Sequence, residues 1–199
     1  EGISRLVEHV DTLITIPNDR LLETQHHNEQ TKSWDDALRL ADSVLQQGIQ
    51  AVAEVVMVPG EINVDFADVR TVMSEKGTAM MGTGTSSGPD RARIAAEHAV
   101  SSKLLEDISL KDAKGVLVNI TAGADLSLGE IQAVGDCINN FASEEAIIVT
   151  GTVMDEEANN DLTVTVIATG LNSSLQSVSG KNNQRVQALT ERQPLPLSD

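Results

Sequence analysis

Residues 63–84 read NVDFADVRTVMSEKGTAMMGTG. After a polar entry at Asn63–Asp65, the apolar residues Phe66, Val69, Val72 and Met73 recur every three or four positions and predict a helix with one buried side. Gly77 is a natural stop for it. Thr78–Met81 reads as a short strand running into the glycine-rich Gly82–Gly88, and Pro89 sits where a further helix begins. Helix, strand and helix in close succession are the mark of an α/β chain.

Upstream, Trp34, Leu38, Ala41, Leu45, Ile49, Val52 and Val56 keep a helical period up to about Met57, with Ser33 placed as N-cap and Pro59-Gly60 ending the element. Its length, roughly 36 Å at 1.5 Å per residue, suits a spine between two domains. Before it come a short helical pattern at residues 3–10, a strand through Leu13, Ile14 and Ile16, and a polar loop at 23–33. Downstream, Ile94, Ala95, His98 and Ala99 mark one helix face. Val116–Thr121 is a strand, and Ser127 with Glu130 forms a capping box opening a helix with Ile131, Val134, Ile138 and Phe141 inward. Ala146–Val153 and Leu162–Thr169 are strands joined by Asp155–Asp161 (DEEANND), which reads as a hairpin. The polar stretch after Leu171 is expected to be a mobile tail. Together these elements predict an α/β sandwich on a mixed four-stranded sheet.

Composition excludes several functions. The 199 residues carry a net charge of −16, which would repel nucleic-acid phosphates. Aromatics are only 2%, too few for base-stacking platforms. The single Cys137 cannot form an internal disulfide and reads as a buried thiol. The apolar runs are strand-sized, well below the roughly 20 residues that span a bilayer. No signal peptide opens the sequence, which starts at Glu1, so an intracellular piece of a longer polypeptide is expected.

Gly82–Gly88 has the composition of a phosphate cradle. No Lys-Ser/Thr follows, the G-x-G-x-x-G spacing is missing, and Asp90 would repel a phosphate, so a strand-to-helix turn is the better reading. Asp155–Asp161 lacks the central glycine and distal glutamate of a calcium loop. His26-His27 in their loop, and the single His9 and His98, read as ordinary histidines rather than metal ligands. Asp65 and Asp68 are the sharpest candidates. Spaced by three, they share the first turn of their helix, where the dipole favours carboxylates and where they could orient or deprotonate a water. The alternative is that Asp65 or Asn63 is an N-cap and Asp68 a first-turn acid.

These residues also resemble a family. Asn63–Gly84 is similar to the tubulin-like bacterial division GTPases of the FtsZ family. So are Thr15–Asp19 (TIPND), Leu104–Ile108 (LLEDI), Gly115–Gly123 (GVLVNITAG) and Leu162–Gly170 (LTVTVIATG), and the likeness runs from about residue 3 to 171. It implies a tubulin/FtsZ-like C-terminal domain with a mixed four-stranded sheet, preceded by a long central helix. Residues 1–33 would be a remnant of the GTP-binding domain, 34–58 the central helix, 59–171 the GTPase-activating domain and 172–199 the tail.

The resemblance assigns Asn63, Asp65 and Asp68 to a catalytic loop that completes the GTP site of the next subunit in a head-to-tail homo-oligomeric filament. Asn18 would lie near the guanine. Leu38 and Ser43 occupy positions where the family usually offers a stacking phenylalanine and a base-pairing aspartate. The family's glycine-rich nucleotide signature is not in these 199 residues. GTP or GDP with Mg is therefore expected only in the whole protein, with nothing bound to this stretch alone and no metal site of its own. Other implied partners are division-regulator proteins, with no nucleic acid and no direct membrane insertion, and the implied place is the cytoplasm at the division site. The altered Leu38 and Ser43 leave a second reading open, a non-catalytic FtsZ-like module that caps or regulates filaments.

Overall fold

A computed structural model describes residues 2–7, 9–16, 34–102, 104–105 and 109–171. The elements are α1 (Gly2–Val7), β1 (Thr12–Ile14), α2 (Trp34–Met57), α3 (Phe66–Met73), β2 (Gly77–Ser87), α4 (Arg91–Val100), β3 (Gly115–Ala122), α5 (Leu128–Phe141), β4 (Ile147–Met154) and β5 (Asp161–Leu171). Ser33, His26-His27 and the tail beyond 171 lie outside the described residues.

β3 (GVLVNITA) is buried almost throughout, as expected of a strand with helices on both faces. Its alternate residues Val116, Val118 and Ile120 meet Ala92, Ala95, Ala96 and Ala99 of α4 and Ile131, Val134 and Ile138 of α5. Leu117 points the other way, to a smaller core with Val55 of α2, Val64, and Val69 and Val72 of α3. Period-two strands between helical layers thus give a three-layer α/β unit.

The sheet order is β1-β2-β5-β3-β4. The four expected strands are present and mixed: β3 and β4 run parallel, while β5 is antiparallel to both β2 and β3. Three features depart from expectation. First, β1 adds a fifth strand, parallel to β2, so the N-terminal stretch extends this same sheet. Second, β4 and β5 are not a hairpin, because β3 lies between them and the 155–160 link crosses its end. Third, the glycine-rich run is strand rather than turn, since β2 continues to Ser87. A side chain on Gly82 would strike the Ala99 carbonyl, and one on Gly84 the Ala95 carbonyl and the Ala99 amide. Glycine here lets α4 lie directly on the strand.

That close approach also sets the face of α4. Its four alanines go inward and His98 is exposed. On α2, Gly48, Ala51 and Val55 are buried, while Leu38, Leu45 and Ile49 of the expected stripe are 49%, 51% and 63% exposed. The helix is apolar on two sides and only one meets the sheet. Cys137 is buried on α5, and burial pushes its thiol pKa up.

Candidate functional site

The segment leading into α3 is built against the edge of β4. The Ile62 amide donates to the Thr152 hydroxyl at 2.8 Å, and the Thr152 amide donates to the Ile62 carbonyl at 3.0 Å. A side chain on Gly60 would collide with the Thr152 carbonyl, so the turn hugs the strand only because glycine stands there. Val64 goes into the core, and its neighbours Asn63, Asp65, Phe66, Ala67 and Asp68 stay exposed.

Within this turn the three candidate residues differ. Asn63 accepts from the Gly60 amide through Oδ1 at 3.0 Å, which leaves the donor nitrogen Nδ2 directed away from that bond. Asp65 is the N-cap of α3: its backbone is extended, and its Oδ1 accepts from the Asp68 amide at 3.0 Å. Asp68 lies in the first helical turn, with no partner for its carboxylate among the described residues. The N-cap reading of Asp65 therefore holds, and the residue stays exposed. The arrangement presents two carboxylates and an amide donor on one exposed turn at the positive end of a helix, a surface suited to gripping a water beside an anionic ligand.

The base-side candidates are elsewhere. Asn18 lies outside the described residues. Leu38 is half-exposed and Ser43 half-buried, both toward the start of α2. Along the helix Leu38 stands about 28 Å from Met57, and the acid turn follows Met57 in the chain. Leu38 and the acid turn are thus separated along the length of α2. A cavity of about 360 Å³ between β1 and α2, lined by Ile14, Ile16, Leu45, Ile49, Val52 and Met81 among others, is apolar and contains none of the candidates.

Phe66, expected on the buried side of α3, is instead 68% exposed, and Leu128, which gave no signal in the sequence, is 78% exposed. Leu128 opens α5 just after the end of β3, whose Ala122 pairs with Met154 of β4, so it shares a sheet end with the acid turn. Nearby, Arg91 is buried and paired with Glu130 at 2.6 Å and Asp125 at 2.8 Å, and it donates to the Asn160 carbonyl. Its hydrogen bond holds the Glu130 carboxyl down at about 2, with the Ser127 bonds of the capping box adding to the effect against the cost of burial. This cluster ties three loops together at the end from which the acids project.

Residues 77–172 match the sequence profile of the FtsZ family, C-terminal domain. Among curated relatives, the cell division protein FtsZ of Coxiella burnetii is 54% identical over 173 residues, 87% of this chain and 44% of that protein. That of Pseudomonas aeruginosa is 52% identical over 176 residues, 88% of this chain and 44% of that protein. The chain thus spans less than half the length of these relatives. An FtsZ dimer from M. jannaschii superposes with a TM-score of 0.79 at 35% identity, over 86% of this chain and 49% of that one. The plasmid-segregation protein TubZ, at 8% identity and a TM-score of 0.69, shares the fold alone. Among the described residues no helix is long and apolar enough to cross a membrane. By its sequence and its fold the chain belongs to the FtsZ family, through that family's C-terminal domain.

Proposed function

We propose that this chain is the C-terminal part of a filament-forming GTPase of bacterial cell division, and that Asp65, Asp68 and Asn63 complete the GTP site of the next subunit. The observation that carries this is separation. Leu38, near the start of α2, stands about 28 Å along the helix from Met57, after which the acid turn follows in the chain, so the acids are assigned to a nucleotide held by another copy. They are also exposed, as a group acting outside its own molecule must be.

Asp68, whose carboxylate has no partner among the described residues, takes the larger part: it orients the attacking water and accepts its proton as the bond to the γ-phosphorus forms and the bond from that phosphorus to the departing GDP oxygen breaks. Asp65 fixes the turn through its cap and adds negative charge that keeps the water polarised. Asn63, bonded inward through Oδ1, offers Nδ2–H to a phosphate oxygen. Mg²⁺ bound with the nucleotide would supply positive charge at the phosphates. The turn contributes carboxylates at the outer side of that water, and the residues fit this division of labour. Exposed Phe66 and Leu128 supply apolar contact for the neighbouring copy, head to tail. The partner is then the protein itself, with division regulators as further partners, in the cytoplasm at the division site.

The test is Asp68→Ala in the full-length protein. Assembly-stimulated GTP turnover should fall at least a hundred-fold while GTP still binds. Unchanged turnover would sink the assignment. A second reading, a filament-capping module without chemistry, is favoured by Leu38 and Ser43, which offer neither an aromatic face nor a carboxylate to a guanine. Titration calorimetry of the full-length protein with GTP separates the two, since a module of that kind gives no binding heat.

A further inference from the structure

We propose that Thr152 and Thr169 are positioning residues for the acid turn, two buried hydroxyls that peg residues 62–72 to the sheet at either end. This rests on the reading of Asp65 and Asp68 as acids acting on a neighbour's nucleotide. The two threonines come from different strands, β4 and β5, and are 1% and 0% exposed.

At the leading end, Thr152 takes the Ile62 amide on its hydroxyl and the Ile62 carbonyl on its own amide, three residues before the cap Asp65. At the trailing end, the last carbonyls of α3 have no partner inside the helix. The Thr169 hydroxyl donates to the Val72 carbonyl at 2.7 Å, with the Gly115 carbonyl as a secondary acceptor at 3.3 Å. Thr12 of β1 adds its hydroxyl at the neighbouring Met73 carbonyl.

Between the pegs, the polar side chains of the acid turn bond only within the turn or, for Asp68, with no described partner. The remaining anchors are Val64, Val69 and Val72, which pack without directional preference. Apolar packing fixes how deep the short α3 sits, but leaves it free to slide or rotate by fractions of an ångström. A hydrogen bond at each end removes that freedom. Attack on phosphorus depends steeply on alignment, and a displacement near 1 Å costs on the order of a hundred-fold in rate. The pegs therefore act on chemistry through the acids, without touching nucleotide or water.

The experiment uses the full-length protein carrying Thr152→Val or Thr169→Val, which keep the shape and delete the hydroxyl, beside Thr152→Ser and Thr169→Ser, which keep the hydroxyl. GTP turnover per assembled subunit and the critical concentration for assembly are both read. The valine variants should lose about ten-fold in turnover at an unchanged critical concentration, with serine near the parent value. Turnover unchanged in the valine variants overturns the inference. So does a joint loss of turnover and assembly that serine does not rescue, which is the signature of packing alone. If circular dichroism shows that Thr169→Val does not fold, the Thr152 pair at the sheet edge decides by itself. Asp68→Ala run alongside keeps the two claims apart. If it abolishes turnover while the valine variants leave it unchanged, only the pegs fall; if it leaves turnover intact, the acids and the pegs fall together.

Discussion

On the proposed function, Asp65 carries two duties that a single alanine substitution would confound. Its Oδ1 caps α3 by accepting from the Asp68 amide, so Asp65→Ala removes about 1 kcal/mol of helix capping along with the charge. Asparagine caps as well as aspartate and is neutral. Asp65→Asn should therefore melt with the parent, and Asp65→Ala about 2–4 °C below it, while both lose turnover; thermal melts and GTPase assays side by side check this. Glu130 offers a second test, in pH. Its folded pKa is depressed to about 2, chiefly by the hydrogen bond from Arg91, so the pairing stabilises the fold above the ordinary carboxylate range near 4.5 and is lost as pH falls from there toward 2. The shift corresponds to about 3 kcal/mol. Arg91→Met should lower stability at pH 7 and flatten the pH dependence between 5 and 2, as read by urea unfolding at each pH.

At the scale of elements, what could be read from sequence followed from local physics, and what could not depended on neighbours. The period of α2, the capping box at Ser127 and Glu130, and the apolar run of β3 each carry their cause within a few residues, and all three formed where expected. DEEANND signals only that the chain reverses; which strand then lies beside β4 is decided by the crossover of α5, a nonlocal fact. The glycines of β2 mislead for the same reason. They look like a flexible turn because the helix that needs them, α4, presses on them from later in the chain. The acids of the candidate site were legible through spacing and resemblance, whereas the exposed Leu128 and the Thr152 contact are products of the assembled sheet. A contrast between two glycines tests this. Gly84→Ala puts a methyl against the backbone of α4 and should cost about 1–3 kcal/mol, lowering the urea midpoint without changing the slope. Gly135→Ala, in α5 with nothing within 4 Å, should instead stabilise by about 0.5–1 kcal/mol.

For the whole molecule, the acid turn sits at one end of the sheet, and this gives the chain a polarity. One end presents Asp65, Asp68, Phe66 and Leu128; the glycine-rich nucleotide signature that a neighbour's acids would address is not among its 199 residues. On the proposed function, the 199-residue chain used by itself would dock its acid end on a filament subunit whose nucleotide face is open, and would not carry the glycine-rich signature to the next subunit. Added to filaments of an intact FtsZ relative, it should stop growth at the end exposing nucleotide and leave the opposite end growing, at amounts well below one per subunit. Its net charge of −16 makes this encounter repulsive toward other acidic surfaces, so capping should strengthen as salt rises from about 10 to 150 mM and shortens the screening length from roughly 30 to 8 Å. Leu128→Glu adds charge to the docking face and should abolish capping while the chain stays folded. Filament growth imaged at both ends decides: slowing at both, or at neither, would mean that the acid end is not the docking face and that the proposed catalytic role of the acid turn toward a neighbour fails.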